Sequence, residues 1–470
     1  MRLIVKKIVL SAFSMLLVAG SMAQNLNSAY FLEGFAYRHE LNPAYSGESY
    51  FSMPLLGNIN VTMHGNVGLK NFLYPVNNPS SQYNLTTFLS PTIGRDEFLG
   101  DLTDNNKLMF DYKMNIFSVG FRGFGGFNTI GLNLRTNVGV NLPYGLFDFA
   151  KTGMQGNNTH YVMDDLSMRA RGYAELALGH AHQINENLSI GAKFKFLVGG
   201  ADVDATVDRM NVQMSDTRWL VQARAEVNAS LKGARFELDE DGLVDGLDVE
   251  SPGVGGYGFG VDLGATYKFT EGALKGFTFS AALLDLGFIN WSENIMAYNE
   301  GEEFRFDGFH NVVIENQPGQ ENELEDQLDR LQDDVEKLYN VRTDGKVGSR
   351  STMLATTMNI GAEYALPAYD RLKFGLLSST HFNGPFTWTE ARVSANVNPT
   401  RWFGASVNYA YSTWGSSFGM MLNFHPKGFN FFIGTDHMLG EVNTQFIPMS
   451  SNVNVSMGIN FILGKEKREK

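Results

Sequence analysis

The chain has 470 residues, no cysteine, 50 glycines, 36 phenylalanines and 18 tyrosines, and its 37 Lys plus Arg fall short of 50 Asp plus Glu, a formal charge of -13. Disulfides, thiolate metal centres and cysteine nucleophiles are thereby excluded, and the cationic excess that a phosphate backbone demands is missing, which argues against nucleic acid as a partner. Abundant Phe, Tyr, Gly and Asn with slightly negative mean hydropathy point to extensive β structure.

The first element is an export signal. Arg2, Lys6 and Lys7 form a positive start, Ile8 to Val18 an apolar stretch too short to span a bilayer, and Ser21-Met22-Ala23 a small-x-small cleavage site. Sec export with cleavage after Ala23 leaves 34 basic residues (37 less Arg2, Lys6 and Lys7) against 50 acidic ones, or -16. Residues 24–56 follow as a lead-in whose Pro43 and Pro54 are incompatible with a central strand.

From residue 57 to 464 the dominant signal is a two-residue period. Ile59, Val61 and Met63 alternate with Asn58, Asn60, Thr62 and His64; Ile130, Leu132 and Leu134 alternate with Gly131, Asn133 and Arg135; Ile190, Ala192, Phe194 and Phe196 alternate with Ser189, Gly191, Lys193 and Lys195. The pattern returns over 219–231, 259–269, 354–366, 403–411 and 453–463. Each run is long enough to cross a membrane, for which about 9–11 tilted residues suffice, and Asn185-Glu186-Asn187, Gly123 to Gly126 and Asn398-Pro399-Thr400 supply turns. The prediction is an all-β, antiparallel transmembrane β-barrel of about 14 strands in a range of 12–16, with apolar side chains facing lipid and Arg135, Lys193, Lys195, Asp262 and Lys268 as candidate lumen charges. Tyr74, Phe269, Trp291, Trp388, Trp402 and Trp414 near strand ends are candidates for interfacial girdles.

Two stretches interrupt the alternation. Residues 232–256 are acidic and glycine-rich; Glu237, Asp239 and Asp241 at alternate positions, then Gly242 and a later Asp248, approximate the spacing of a calcium loop, the only cofactor the sequence offers, against a plain solvated loop as the alternative. Residues 290–350 form an insertion in which Leu324, Leu328, Leu331, Val335 and Leu338 predict a helix, and 319–340 is a candidate partner-binding segment. His180 with His182, and His425 with His437, lack a third ligand. Gly253 to Gly258 matches a dinucleotide pattern but precedes a strand, and no hydrolase or zinc-protease motif occurs, so no catalytic residue is assigned. Lys465 to Lys470 is a charged tail.

In the last strand, Ser456, Gly458, Phe461 and Leu463 resemble the carboxy-terminal signal read by the barrel assembly machinery. Further stretches, namely Arg38-His39-Glu40-Leu41-Asn42-Pro43-Ala44, Pro54 to Gly57, Leu134 to Val138, Leu188 to Lys193, Val261 to Ala265 and Leu284 to Trp291, resemble an uncharacterised family of Bacteroidota outer-membrane barrels related to the long-chain fatty-acid transporters (FadL-like) and to PorP/SprF-type barrels. That resemblance covers nearly the whole mature chain. It implies that the segment bearing Asn42, Pro43 and Ala44 is a hatch entering the lumen, a simple periplasmic lead-in being the alternative. It also implies an outer-membrane channel or transporter for a small ligand, with a hydrophobic one suggested by the fatty-acid transporters. The competing expectation is a scaffold barrel that supports secretion or surface assembly through its long loops.

Overall fold

The computed structural model describes residues 26–76, 85–154, 159–215, 217–239, 242–299, 301, 303–306, 341–437 and 452–463. The signal segment, the helix expected over 324–338 and the charged tail lie outside the described residues. Among the described residues no helix is long and apolar enough to cross a membrane.

Fourteen antiparallel strands close into a barrel. In chain order they are β1 (Tyr50–Ser52 and, after a break, Ile59–Gly65), β2 (Asn105–Gly123), β3 (Gly126–Pro143), β4 (Leu166–Gln183), β5 (Leu188–Met214), β6 (Trp219–Leu231, resumed as Gly256–Lys268), β7 (Phe277–Tyr298), β8 (Arg342–Met353 and Thr356–Ala365), β9 (Leu372–Phe382), β10 (Trp388–Val397), β11 (Phe403–Ser412), β12 (Gly415–Phe424), β13 (Asn430–Thr435) and β14 (Val453–Ile462). Each strand pairs with the next, and β14 returns to β1 with Phe461 opposite Phe51 and Ser456 opposite Asn60. Closure satisfies every edge, which is what allows a sheet to sit in hydrocarbon.

The alternation read from the sequence maps onto the two faces. Phe194, Phe259, Leu263, Leu286, Ile360, Leu376, Val407, Phe418 and Ile433 stand outward and exposed, one row of an apolar belt, while Asn58, Asn60, Thr62 and His64 on β1, Lys193 and Lys195 on β5 and Asn454, Ser456 and Asn460 on β14 are buried inside. Several irregularities reset the period, and two of them shape the lumen. On β5, Tyr173 of β4 faces Gly199 while Gly172 faces Ala201, so Gly200 is an extra residue, and lumen positions shift from odd (Lys193, Lys195) to even (Asp202). On β7, Asp285 has a left-handed backbone (φ 59°) and is buried next to buried Leu284. Ahead of it the even residues Ser280 and Ala282 face inward; beyond it the odd residues Ile289 and Trp291 do. The facing break in β8 falls at Leu354 and Ala355.

The wall is uneven in height. β5 runs 27 residues and β7 runs 22, whereas β10, β11, β12 and β14 run 10 each. Only about 9–11 are needed to span, so the β2–β8 side rises beyond the bilayer. There Tyr161, Met163, Met210, Val212 and Val221 form a buried apolar cluster. Residues 232–256 form a hairpin in which Ala234–Leu238 pairs with Val244–Val249, inserted where β6 is interrupted. The flanks of the 290–350 insertion are strand, because β7 and β8 extend into it and pair from Phe288–Met353 to Tyr298–Arg342. Short turns join the strands at the end where β1 begins and β14 stops; the longest connections lie at the other end.

Candidate functional site: a plugged, charge-lined lumen

Residues 26–45 lie inside the barrel. Two 3-10 turns, Asn27–Ala29 and Arg38–Glu40, fold the segment into a compact plug, whose Tyr30, Phe31, Leu32, Phe35, Tyr37 and Leu41 form one buried cluster with Tyr50, Phe127, Leu377 and Phe432 of the wall. A segment without a ladder must find side-chain partners for its backbone, and the wall supplies them. The Asn27 and Ser28 amides donate to the Asp436 carboxylate at 2.7 and 2.6 Å, and Asn359 donates to the Leu41 carbonyl at 3.0 Å. Tyr37 donates to Asn460 at 2.7 Å, and Asn42 donates to the Ala281 carbonyl at 3.2 Å. Asn42, Pro43 and Ala44 sit at the contact: the Ala44 amide closes onto the Asn42 side chain at 2.9 Å, and a Cβ on Gly191 would overlap the Pro43 carbonyl just as one on Gly264 would overlap Asn42.

Where the plug meets the wall, eight buried or half-buried charged side chains converge. Lys113 pairs with Glu40 of the plug at 2.9 Å. Lys195 reaches Asp285 at 2.5 Å and Asp262 at 2.7 Å, and Arg135 bridges Asp285 at 2.8 Å and Glu175 at 3.1 Å. The Asp285 amide also donates to Asp262 at 2.7 Å, so the bulge is braced by its own charge cluster. Lys193 donates to His39 Nδ1 at 2.9 Å; that leaves Nε2 carrying the proton, 2.8 Å from the Tyr50 hydroxyl. Burial, reinforced by the ammoniums of Lys193 and Lys113, holds His39 well below the usual histidine range, so it is neutral at physiological pH. Four bases (Lys113, Arg135, Lys193 and Lys195) balance four acids (Glu40, Glu175, Asp262 and Asp285). Such balance is the condition for burying charge at all.

On the other side of Leu41 opens a cavity of about 80 Å³, bounded by apolar Tyr112, Tyr173, Leu284, Leu354 and Trp388 and by polar Asn137, Arg171, Asn359 and His381. Three of its liners carry a buried polar atom without a partner: Trp388 Nε1, His381 Nε2 and Asn359 Oδ1.

Of the charges read from the sequence, Arg135, Lys193, Lys195 and Asp262 meet in this cluster, while Lys268 ends β6 at the short-turn rim and is exposed. The cluster's other members are Lys113, Glu175, Asp285 and, from the plug, His39 and Glu40. Glu175 shares the parity of Tyr173 and Ala177 and was readable from it; Asp285 was not, because the bulge turns it inward against the local period. In the acidic hairpin, Asp248 pairs with Arg235 at 3.2 Å, the Leu243 amide donates to Asp239 at 2.7 Å, Glu237 is exposed, and Asp241 lies outside the described residues. Among the described residues no group of three or more His, Cys, Asp or Glu is placed to hold a metal ion. Ser456 and Gly458 face inward and Phe461 and Leu463 outward. The girdle expectation is corrected at three positions, one of them Trp414, whose ring packs against buried His64 at 4.7 Å. Trp291 is buried and donates to Thr352 at 2.8 Å, because the Asp285 bulge changes the phase of β7, and Trp388 shares the inward parity of Glu390 and Arg392. Trp402 is exposed at the short-turn end.

Comparison with known proteins adds the following. Solved structures that resemble the chain include the Ralstonia pickettii toluene transporter TbuX (9% identity, 94% of this chain and 95% of that chain covered, TM-score 0.40). A Pseudomonas aeruginosa FadL homologue (12% identity, 94% and 98% covered, TM-score 0.36) and the translocator domain of the autotransporter NalP from Neisseria meningitidis (7% identity, 89% of each chain covered, TM-score 0.32) also match. No curated protein matches. The model of the family of unknown function DUF5723 matches residues 43–436, and the chain therefore belongs to that family.

Proposed function

We propose that the protein is an outer-membrane barrel that takes a small amphipathic molecule into the cavity beside Leu41 and admits it past the plug. The observation that carries this reading is the cavity itself. With the plug in place its volume is about 80 Å³, below the roughly 300–1,000 Å³ of small-molecule sites, so a ligand enters by displacing part of the plug. Its walls combine Leu284, Leu354, Tyr112 and Tyr173 with the unpartnered polar atoms of Trp388, His381 and Asn359. Buried polar groups without partners cost about 1–3 kcal/mol each, so a ligand that satisfies them gains affinity and orientation together. The export signal, the apolar belt and the closed ring support the outer membrane as location, with the longest connections outside the cell and the short turns in the periplasm. The last strand supports handling by the barrel assembly machinery. The plug supports passage by displacement rather than an open pore.

The test is binding of toluene and of dodecanoate to the mature chain in nanodiscs, measured by calorimetry, alongside Leu354→Trp, which fills the cavity. Saturable binding that falls at least about tenfold in the variant, equivalent to ~1.4 kcal/mol, supports the reading; binding equal in both sinks it. A scaffold barrel is the second reading, favoured by Leu238, Leu247 and Val254, which leave the hairpin region with exposed apolar side chains. Deleting residues 319–340 or the hairpin, with loss of a co-purifying protein and unchanged ligand binding, decides for it.

A further inference from the structure

At the loop-side end of β1 the lumen holds a second constellation, apart from the charge cluster. The His64 ring is buried between three aromatic neighbours: Trp388 at 4.7 Å and 90°, Trp414 at 4.7 Å and 64°, and His437 at 4.9 Å and 32°, measured between ring centroids. Neither His64 Nδ1 nor His64 Nε2 has a hydrogen-bond partner, and His437 Nδ1 has none either. Met109 on β2 is the register partner of His64 and is buried in one cluster with Trp388 and Phe386.

Three unpartnered nitrogens on two buried rings are not a resting arrangement for a folded protein. Native interiors satisfy such atoms, and an exception signals an occupant. The chemistry of the surroundings selects which. The carboxylates nearby are committed elsewhere: Asp436, beside His437, accepts from the Asn27 and Ser28 amides and faces Arg392 at 3.5 Å, and Glu390 pairs with Arg392 at 3.0 Å. What remains is neutral imidazole nitrogen, a thioether and two indole faces. Thioether and imidazole donors favour soft ions such as copper(I), and indole faces attract a cation through the ring quadrupole. Two imidazoles bound to one ion at about 2.0–2.1 Å place their ring centres roughly 5 Å apart, the separation seen between His64 and His437.

We infer that His64, His437 and Met109, walled by Trp388 and Trp414, form a binding site for a soft monovalent metal cation, copper(I) or its redox-inert counterpart silver(I). The site is independent of the amphipathic-ligand reading, since its three donors do not line the cavity beside Leu41.

Silver nitrate is titrated into the full mature protein in detergent and chloride-free buffer, with silver content measured after gel filtration and indole emission followed in parallel. Two of the chain's five tryptophans border the site, so the first equivalent of silver quenches emission. His64→Gln combined with His437→Gln abolishes that equivalent and its quench, and the volume-conserving Met109→Leu, which spares the fold, weakens it at least about tenfold. Zinc at the same concentration leaves the quench unchanged. Absence of retained silver, which means ordered water alone occupies the site, overturns the proposal. So does uptake and quenching unaltered in Met109→Leu, or displacement of silver by zinc.

Discussion

The two fillings of this lumen follow opposite rules. At the plug, the barrel wall recedes: glycines at 191 and 264 make room for Pro43 and Asn42, aromatic rings interlock edge to face, as Phe35 does with Phe432 at 4.9 Å, and polar anchors are spread among β7, β8, β14 and Asp436. At the charge cluster, nothing is shaped around anything; Lys195, Arg135, Asp262, Asp285 and Glu175 hold one another by proximity. A fit by shape degrades when an atom is added. Compensated charge fails when one is taken away, because the orphaned partner keeps its desolvation cost.

Replacing Asp285 with Asn is therefore the largest single blow available. Asn tolerates the left-handed backbone there, so the change isolates the charge, leaving Lys195 and Arg135 short of an acid. A loss of about 3–5 kcal/mol is expected in urea unfolding of vesicle-embedded protein. A loss under about 1 kcal/mol would mean that water reaches the cluster. Placing an arginine at Phe194, outside at the level of Lys193 and Lys195, calibrates the wall itself and costs about 2–4 kcal/mol near the bilayer midplane; a neutral result would remove the lipid-facing belt. Next comes Gly191→Ala, which adds an atom where the plug lies closest. An overpacking penalty of about 1–3 kcal/mol falls on plug docking rather than on the ring. Planar-bilayer recordings should then show conductance absent from the parent while heat-resistant migration of the barrel persists; a closed variant would separate plug from gate.

The smallest effect belongs to the rim. Lys373 contacts Glu33 of the plug at 2.7 Å and Glu363 at 2.8 Å. Burial alone would raise the Glu33 carboxyl, and the Lys373 ammonium outweighs it and holds the group below its ordinary range. A depressed carboxylate stabilises above its unfolded value and loses that contribution as the pH falls through its folded value. Glu33 is more than half exposed, so Glu33→Gln should cost no more than about 1 kcal/mol at neutral pH. The wild type and the variant should converge as the pH is taken below 4.5, the ordinary glutamate value. A gap that widens in acid would contradict the pairing.

How much of this was legible in advance depends on whether a residue obeys the local period. Lys193, Lys195, Arg135 and Asp262 sit on unbroken alternating runs, and they meet in the lumen. Asp285 sits on a bulge that periodicity cannot register, and the same phase change carries Trp291 from an expected girdle to the interior. Lys268 had the right parity and the wrong height, since alternation tells inside from outside but not depth. The 26–45 segment has no period at all. Its Asn42-Pro43-Ala44 drew attention only by resemblance, and its rings find the wall through contacts more than 200 residues distant, such as Asn42 with Ala265 and Ala281, which no local pattern encodes. The unpartnered nitrogens of His64 were equally invisible, because His64 continues a regular polar face with Asn60 and Thr62.

The anchoring of the amino-terminal turn on Asp436 and of Tyr37 on Asn460 has a bearing on biogenesis. The plug finds its partners near the other end of the barrel sequence, across 408 and 423 positions. The segment's aromatic side chains therefore lack part of their polar anchoring until β14 is in place.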